Sequence, residues 1–322
     1  MVITRTPIRV KRIEKMFVDA VLAEYVRDGV VESEHRGLLV ALNADGLIFK
    51  SLGDVETKIF PRSTVKCFQA SAMVRHGLDL EPRLLALAQS SHSGGEMHID
   101  GAREILASVG LAENALQCAL DRPLGDAERR AWGENPPTRI AMNCSGKHAA
   151  MLATCVKNGW AIENYLAQDH PLQLAIKDEL ENLAGETISL TSTDGCGAPL
   201  FLLSLIGLAR AIRAITVSTD VVHQSVMSAA RTFPEMVGGI GRHNTEMMQQ
   251  VPGLFMKDGA EAVNVCSLID GRTFVFKVSD GSLRAFRTIV HASLKDFGID
   301  TALTPEKVMG GPRVIGTIRA TI

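Results

Sequence analysis

Two apolar runs near the start of the chain, GLLVAL (37–42) and LIFKSL (47–52), flank the turn-forming run Asn43-Ala44-Asp45-Gly46 and predict a β-hairpin. From Ser63 to about Phe233 the pattern becomes helical. VKCFQASAMVRHG closes on Gly77, PRLLALAQ has Pro82 in its first turn, and GKHAAMLATCVKNG closes on Gly159. HPLQLAIKDELENLAG, PLFLLSLIGLARAI and VVHQSVMSAARTF continue the helical pattern. Strand character returns at GLFM, AVNVCSL and TFVFKVS, with turns at Asp270-Gly271 and Asp280-Gly281, before a last helix over about 283–297.

A helical middle between pairing ends predicts an α/β chain of the α+β type, in which one antiparallel sheet is flanked by helices and joined to a helical lobe. We expect a single two-lobed domain over 17–322, with a sheet lobe from about 17–60 and 250–322 and a helical lobe from about 61–249. The cleft between lobes is the expected ligand site.

Charge narrows the partners. With 34 basic and 36 acidic side chains the net charge is −2, so no overall field draws the protein to nucleic acid or an anionic membrane. The segment 1–16 holds Arg5, Arg9, Lys11, Arg12 and Lys15 against Glu14, without the apolar stretch of a secretory signal, and reads as a solvated basic arm. The longest apolar run, PLFLLSLIGLA (199–209), is too short to span a bilayer and fits a buried helix. Six cysteines without a signal peptide argue for a reducing compartment, with cytoplasm the expected location.

The run PRSTVK puts Ser63 and Lys66 on one face of a helix start. A serine hydroxyl must lose its proton to a base during attack, and a lysine serves once its pKa has fallen through burial or a neighbouring cation. The spacing alone also fits an N-cap serine beside an exposed lysine. Lys257-Asp258-Gly259, after the strand-like GLFM, resembles the Lys-Thr-Gly element that accompanies Ser-x-x-Lys in serine β-lactamases and penicillin-binding enzymes. Between them SHSGGE (91–96) is a polar loop in which Ser93 offers a second hydroxyl.

NCSGKH (143–148) and DGCGAP (194–199) each read as the opening of a helix, presenting Cys144 and Cys196. With His148 they suggest an incomplete zinc site. Cys67, Cys118, Cys155 and Cys266 lie in apolar patterns and read as buried thiols.

Taken in order, VESEHRG, GDVETKIFPRSTVKCFQ, SHSGGE, NCSGKHAAML, DGCGAPLF, KDGAEAV and KVSDGSLRA resemble the rhizobial-type, or class 3, L-asparaginases over about 31–297. That resemblance implies a fold like that of serine β-lactamases, penicillin-binding proteins and glutaminases. It implies hydrolysis of L-asparagine to L-aspartate and ammonia, with Ser63 as nucleophile, Lys66 as its base, and Ser93 with Lys257 as a second pair. It also implies Zn2+ held by Cys144, Lys147 and Cys196, and a homodimer; on ligand chemistry alone His148 would replace Lys147.

Arg62 is then the expected partner of the substrate α-carboxylate and Asp194 of its α-ammonium, with His148 nearby. Fold analogy places an oxyanion hole at the N–H groups of Ser63 and Ala260. Met142, where the family pattern has a second asparagine, and Asp258 and Ala262, where it has glycines, depart from the resemblance. The competing readings are a penicillin-binding or β-lactamase-type serine acylase, a glutaminase, and a non-catalytic zinc-binding or sensor protein.

Overall fold

The computed structural model describes residues 18–302 and 306–322, so the basic arm at 1–16 lies outside the described residues. The strands are β1 (Ala20–Arg27), β2 (Val30–Leu42), β3 (Ile48–Leu52), β4 (Lys58–Ile59), β5 (Thr191–Thr193), β6 (Pro199–Phe201), β7 (Leu203–Ser204), β8 (Phe255–Gly259), β9 (Val263–Ser267), β10 (Thr273–Val278), β11 (Lys307–Gly310) and β12 (Arg313–Ala320). The helices are α1 (Lys66–Arg75), α2 (Pro82–Ala88), α3 (Glu96–Ala107), α4 (Asp126–Trp132), α5 (Ser145–Asn158), α6 (Pro171–Ala184), α7 (Leu205–Val217), α8 (Val221–Thr232), α9 (Pro234–Val237), α10 (His243–Gln250) and α11 (Phe286–Asp296).

Early and late strands do meet. The main sheet runs β11-β12-β1-β2-β10-β9-β8, with β3 also paired to β2, and its pairings are antiparallel. β2 organises it: residues 30–37 pair with β1, while 37–42 pair with β10 and 39–42 with β3. The GLLVAL stretch of β2 is buried at every position, the pattern of a strand covered on both faces. Gly37 permits the close pairing with β10, since a Cβ there would stand 2.2 Å from the Lys277 carbonyl oxygen.

Helix α7 packs on β2, β9 and β10, and α11 packs on β1 and β12. Away from the sheet, α1 is surrounded by α5, α6 and α8. Sequence signals explain the helix ends: Gly159 and Gly185 adopt left-handed conformations after α5 and α6, and Pro171 opens α6. Among the described residues no helix is long and apolar enough to cross a membrane.

The helix expected to begin at Pro199 starts later. Ser204 Oγ accepts from Gly207 N at 2.9 Å and caps α7, whereas the preceding PLFLL residues form β6, paired with β5, and β7, paired with β4. Consequently DGCGAP opens no helix. It is the turn between β5 and β6, closed by Asp194 N to Ala198 O at 2.9 Å and Gly197 N to Asp194 O at 2.8 Å.

Candidate active site

Ser63 sits in a short 3-10 turn, Arg62–Val65, that leads into α1. Arg62 is held at φ +54, a left-handed conformation that costs a side-chain-bearing residue energy, and its Nε donates to Asp194 Oδ1 at 2.7 Å. The end of β8 presses against this turn: a Cβ on Gly259 would lie 3.0 Å from Pro61 O and 3.3 Å from Arg62 Cβ. Ser63 thus faces a cavity of about 350 Å³ that Ser91, Asn143, Arg242, Asp258 and Ala260 also line.

Lys66, the first residue of α1, is buried, and the hydrogen bonds of its Nζ go to groups other than Ser63. Nζ donates to Ser90 O, to Ser91 Oγ at 2.9 Å and to Cys144 Sγ at 2.9 Å. Lys257 lies within β8 rather than beyond it, and its Nζ donates to Ser91 Oγ at 3.0 Å and to Asp258 Oδ1 at 3.0 Å. Burial brings the Lys257 pKa down to about 8, Asp258 opposing this and the Lys66 charge assisting it.

The serine held by both lysines is therefore Ser91, two residues before the one expected. Ser91 N donates to Val237 O at 3.0 Å, His92 N to Asn143 O at 3.0 Å and Ser93 N to Gly238 O at 2.8 Å, which fixes the loop between α2 and α3. In that conformation Ser93 Oγ donates to Gly238 O at 3.1 Å and makes no hydrogen bond to Lys257.

Sequence reasoning also missed Arg242 and underrated Asp258. Arg242 donates to Asp258 Oδ2 at 2.8 Å. Burial works against the Asp258 carboxylate, but Lys257 and Arg242 outweigh it and hold the carboxyl below its usual range. Two serines in one polar loop could have flagged Ser91; nothing local marked Arg242.

A second cluster adjoins the first through Lys66. Cys144 immediately precedes α5, Lys147 lies in its first turn, and the β5–β6 turn brings Cys196 to them, with Lys147 Nζ 3.1 Å from Cys196 Sγ. The hydrogen bond from Cys144, followed by the Lys147 charge, holds the Cys196 thiol well below its ordinary pKa against the effect of burial. His148 Nδ1 pairs with Tyr165 Oη at 2.8 Å, while Nε2 is left without a conventional hydrogen-bond partner beside the Cys196 sulfur. The two buried thiols and the orphaned imidazole nitrogen are donor types that zinc accepts, but among the described residues no three His, Cys, Asp or Glu side chains converge to hold a metal. Burial works against the Lys147 charge, but Cys196 and Cys144 outweigh it and raise the Lys147 pKa, which keeps it an ammonium.

Met142 and Ala262 have structural consequences as well. Met142 Sδ accepts from Cys144 N at 3.1 Å, and Ala262 is buried at φ +52, where glycine would be unstrained.

The family model described as L-asparaginase II matches residues 23–314. The chain belongs to the L-asparaginase II family. This membership supports amidohydrolase activity. No curated protein matches this L-asparaginase II family chain. Among solved structures it is similar to a β-lactamase from Mycobacterium bovis, with 15% identity, 82% of this chain and 95% of that one covered, and a TM-score of 0.46. It is also similar to Mglu in its tris and glutamate form, with 11% identity, 89% and 65% covered, and a TM-score of 0.45.

Proposed function

We propose that this family member hydrolyses L-asparagine to L-aspartate and ammonia through a β-aspartyl ester on Ser63. The observation that carries the reading is the Ser91 hydroxyl, hydrogen-bonded to Lys66 and Lys257 in the cleft that Ser63 lines. Lys257, with its pKa lowered to about 8, is the group suited to accept a proton in mildly alkaline solution. Ser63 Oγ attacks the side-chain amide carbon, its proton passes by way of Ser91 to Lys257, and the departing nitrogen takes a proton back as the C–N bond breaks. Water then cleaves the ester by the same relay in reverse.

Lys66 orients the Ser91 hydroxyl and keeps positive charge beside it, a change from the direct Ser63 base expected from spacing. Arg62 and Asp194 pair with each other at 2.7 Å, and a zwitterionic head group can exchange for both halves of that pair. Backbone N–H groups at Ser63 and Ala260 would receive the developing oxyanion. Cys144, Lys147 and Cys196, with His148 alongside, would hold zinc if Lys147 gave up its proton on binding, and the metal would then supply Lewis-acid charge at the edge of the site. A homodimer in a reducing cytoplasm completes the reading; all six cysteines are free and buried.

Ammonia release from L-asparagine, with L-glutamine and a fluorescent penicillin in parallel, tests the assignment. Turnover of asparagine well above glutamine, without stable penicillin labelling, is the expected result. Preference for glutamine, or labelling without ammonia release, would overturn it.

A further inference from the structure

Beside the reaction cleft lies a second chamber of about 370 Å³ that the hydrolysis of free asparagine does not use. The two share Leu124, Arg242, Asp258 and Leu283 as a common wall. Leu124 and Leu283 are 38% and 63% exposed, so this wall ends in a solvent-facing rim over which a substituent on the substrate amide nitrogen can pass.

The chamber is chemically furnished. Arg287 lines it, half exposed, and its link to Glu246 at 3.2 Å is a surface ion pair of the kind readily exchanged for another carboxylate. His243 contributes an imidazole with neither ring nitrogen hydrogen-bonded, and burial drives its pKa to about 3, so it is a neutral donor and acceptor. Asn244, only 2% exposed, has an unpartnered Nδ2. Buried polar atoms without partners are uncommon in folded proteins and mark groups able to meet a ligand. Leu283 and Phe286 add apolar surface.

We propose that this chamber receives the leaving group of N4-substituted L-asparagines, and that the protein cleaves β-aspartyl dipeptides whose second residue has an apolar side chain. The inference rests on the Ser63 acyl-enzyme reading. The β-amide C–N bond breaks as the Ser63 Oγ–carbon bond forms, the electron pair and a proton go to the departing amine, and water then releases L-aspartate. The second residue's carboxylate meets Arg287 and its side chain lies along Leu283 and Phe286.

The test compares L-asparagine, β-aspartyl-leucine and β-aspartyl-leucinamide as substrates for the wild type, Arg287→Ala and Arg287→Lys. The wild type is expected to release leucine, Arg287→Ala to lose at least about tenfold in kcat/KM on β-aspartyl-leucine with asparagine unchanged, and Arg287→Lys to recover part of the loss. The leucinamide is expected to be a poorer substrate and insensitive to Arg287. Ammonia release from asparagine without any leucine release would overturn the inference alone, as would equal losses on all three substrates. Leucine release without ammonia release would overturn the asparagine reading while supporting the chamber, and release from none of the substrates would overturn both.

Discussion

Lys257 Nζ donates a hydrogen bond to Ser91 Oγ at 3.0 Å, and Lys66 approaches the same oxygen at 2.9 Å. A hydroxyl that accepts from two lysines has its own proton free to point into the cleft; once Lys257 is neutral, Ser91 can donate that proton to Nζ and take the Ser63 proton in exchange. Replacing Ser91 by alanine should lower the rate on asparagine by about 10²–10⁴-fold. Ser93→Ala, which removes only a hydroxyl bonded to the Gly238 carbonyl, should leave a rate within about tenfold of wild type. Steady-state kinetics of the two variants separates the roles, and the reverse ranking would return the second hydroxyl to Ser93.

The pH profile should carry the signature of Lys257. Below about pH 8 it is protonated and cannot accept a proton, so kcat/KM should rise through about pH 8 and level off above it. The Asp258 carboxylate raises this pKa and the Lys66 ammonium lowers it. Asp258→Asn should therefore move the limb to lower pH, and Lys66→Met should move it to higher pH in whatever rate remains. Shifts of the same sign in both variants would contradict this electrostatic arrangement.

Metal analysis addresses the sulfur cluster. Protein purified without chelator should carry about one zinc per chain, and Cys196→Ser should lower that content. The wild-type metal content after chelation and zinc repletion gives the comparison; zinc absent after repletion would reject the site.

Stability should depend on a network that ties the helix of the first lysine to its neighbours. Glu179 in α6 accepts from Ser71 Oγ of α1 at 2.5 Å, pairs with His223 Nε2 of α8 at 2.8 Å, and accepts from Arg75 Nε at 3.3 Å. Burial raises the Glu179 pKa, but the hydrogen bonds from Ser71, His223 and Arg75 outweigh it and hold the carboxyl below its usual range. Its stabilisation is accordingly present above the unfolded-state pKa and is lost as pH falls through the folded one. Glu179→Ala should cost about 3 kcal/mol at pH 7, and urea unfolding should show the gap from wild type narrowing in acid.

Much of the fold was legible because local signals agreed with the long-range structure. The hairpin at 37–52 is marked by its turn, and α5 and α6 by the glycines that end them. A continuous apolar run does not distinguish strand from helix, so PLFLL, whose pattern predicts a helix, pairs as strands instead; the cap at Ser204 sets the boundary. The order of the sheet is set by pairing between distant segments such as β2 and β10, and no local periodicity encodes it.

The site was legible in its motifs and not in its contacts. Ser91 and Ser93 share one loop and one composition, and carbonyls from Val237 and Gly238, more than 140 residues away, decide which hydroxyl meets the lysines. Lys66 likewise spends its hydrogen bonds on Ser90, Ser91 and Cys144, which converge on its Nζ from segments that the spacing to Ser63 does not announce. Arg242 enters through its bond to Asp258, a contact between the residue that precedes α10 and β8 that the intervening sequence does not announce.

The most direct test of the central claim is the rate of ammonia release from L-asparagine by the wild type and by Ser63→Ala. The account predicts turnover in the wild type and a loss of at least about 10³-fold in the variant, with folding preserved by circular dichroism. An undiminished rate in Ser63→Ala would contradict an ester on Ser63.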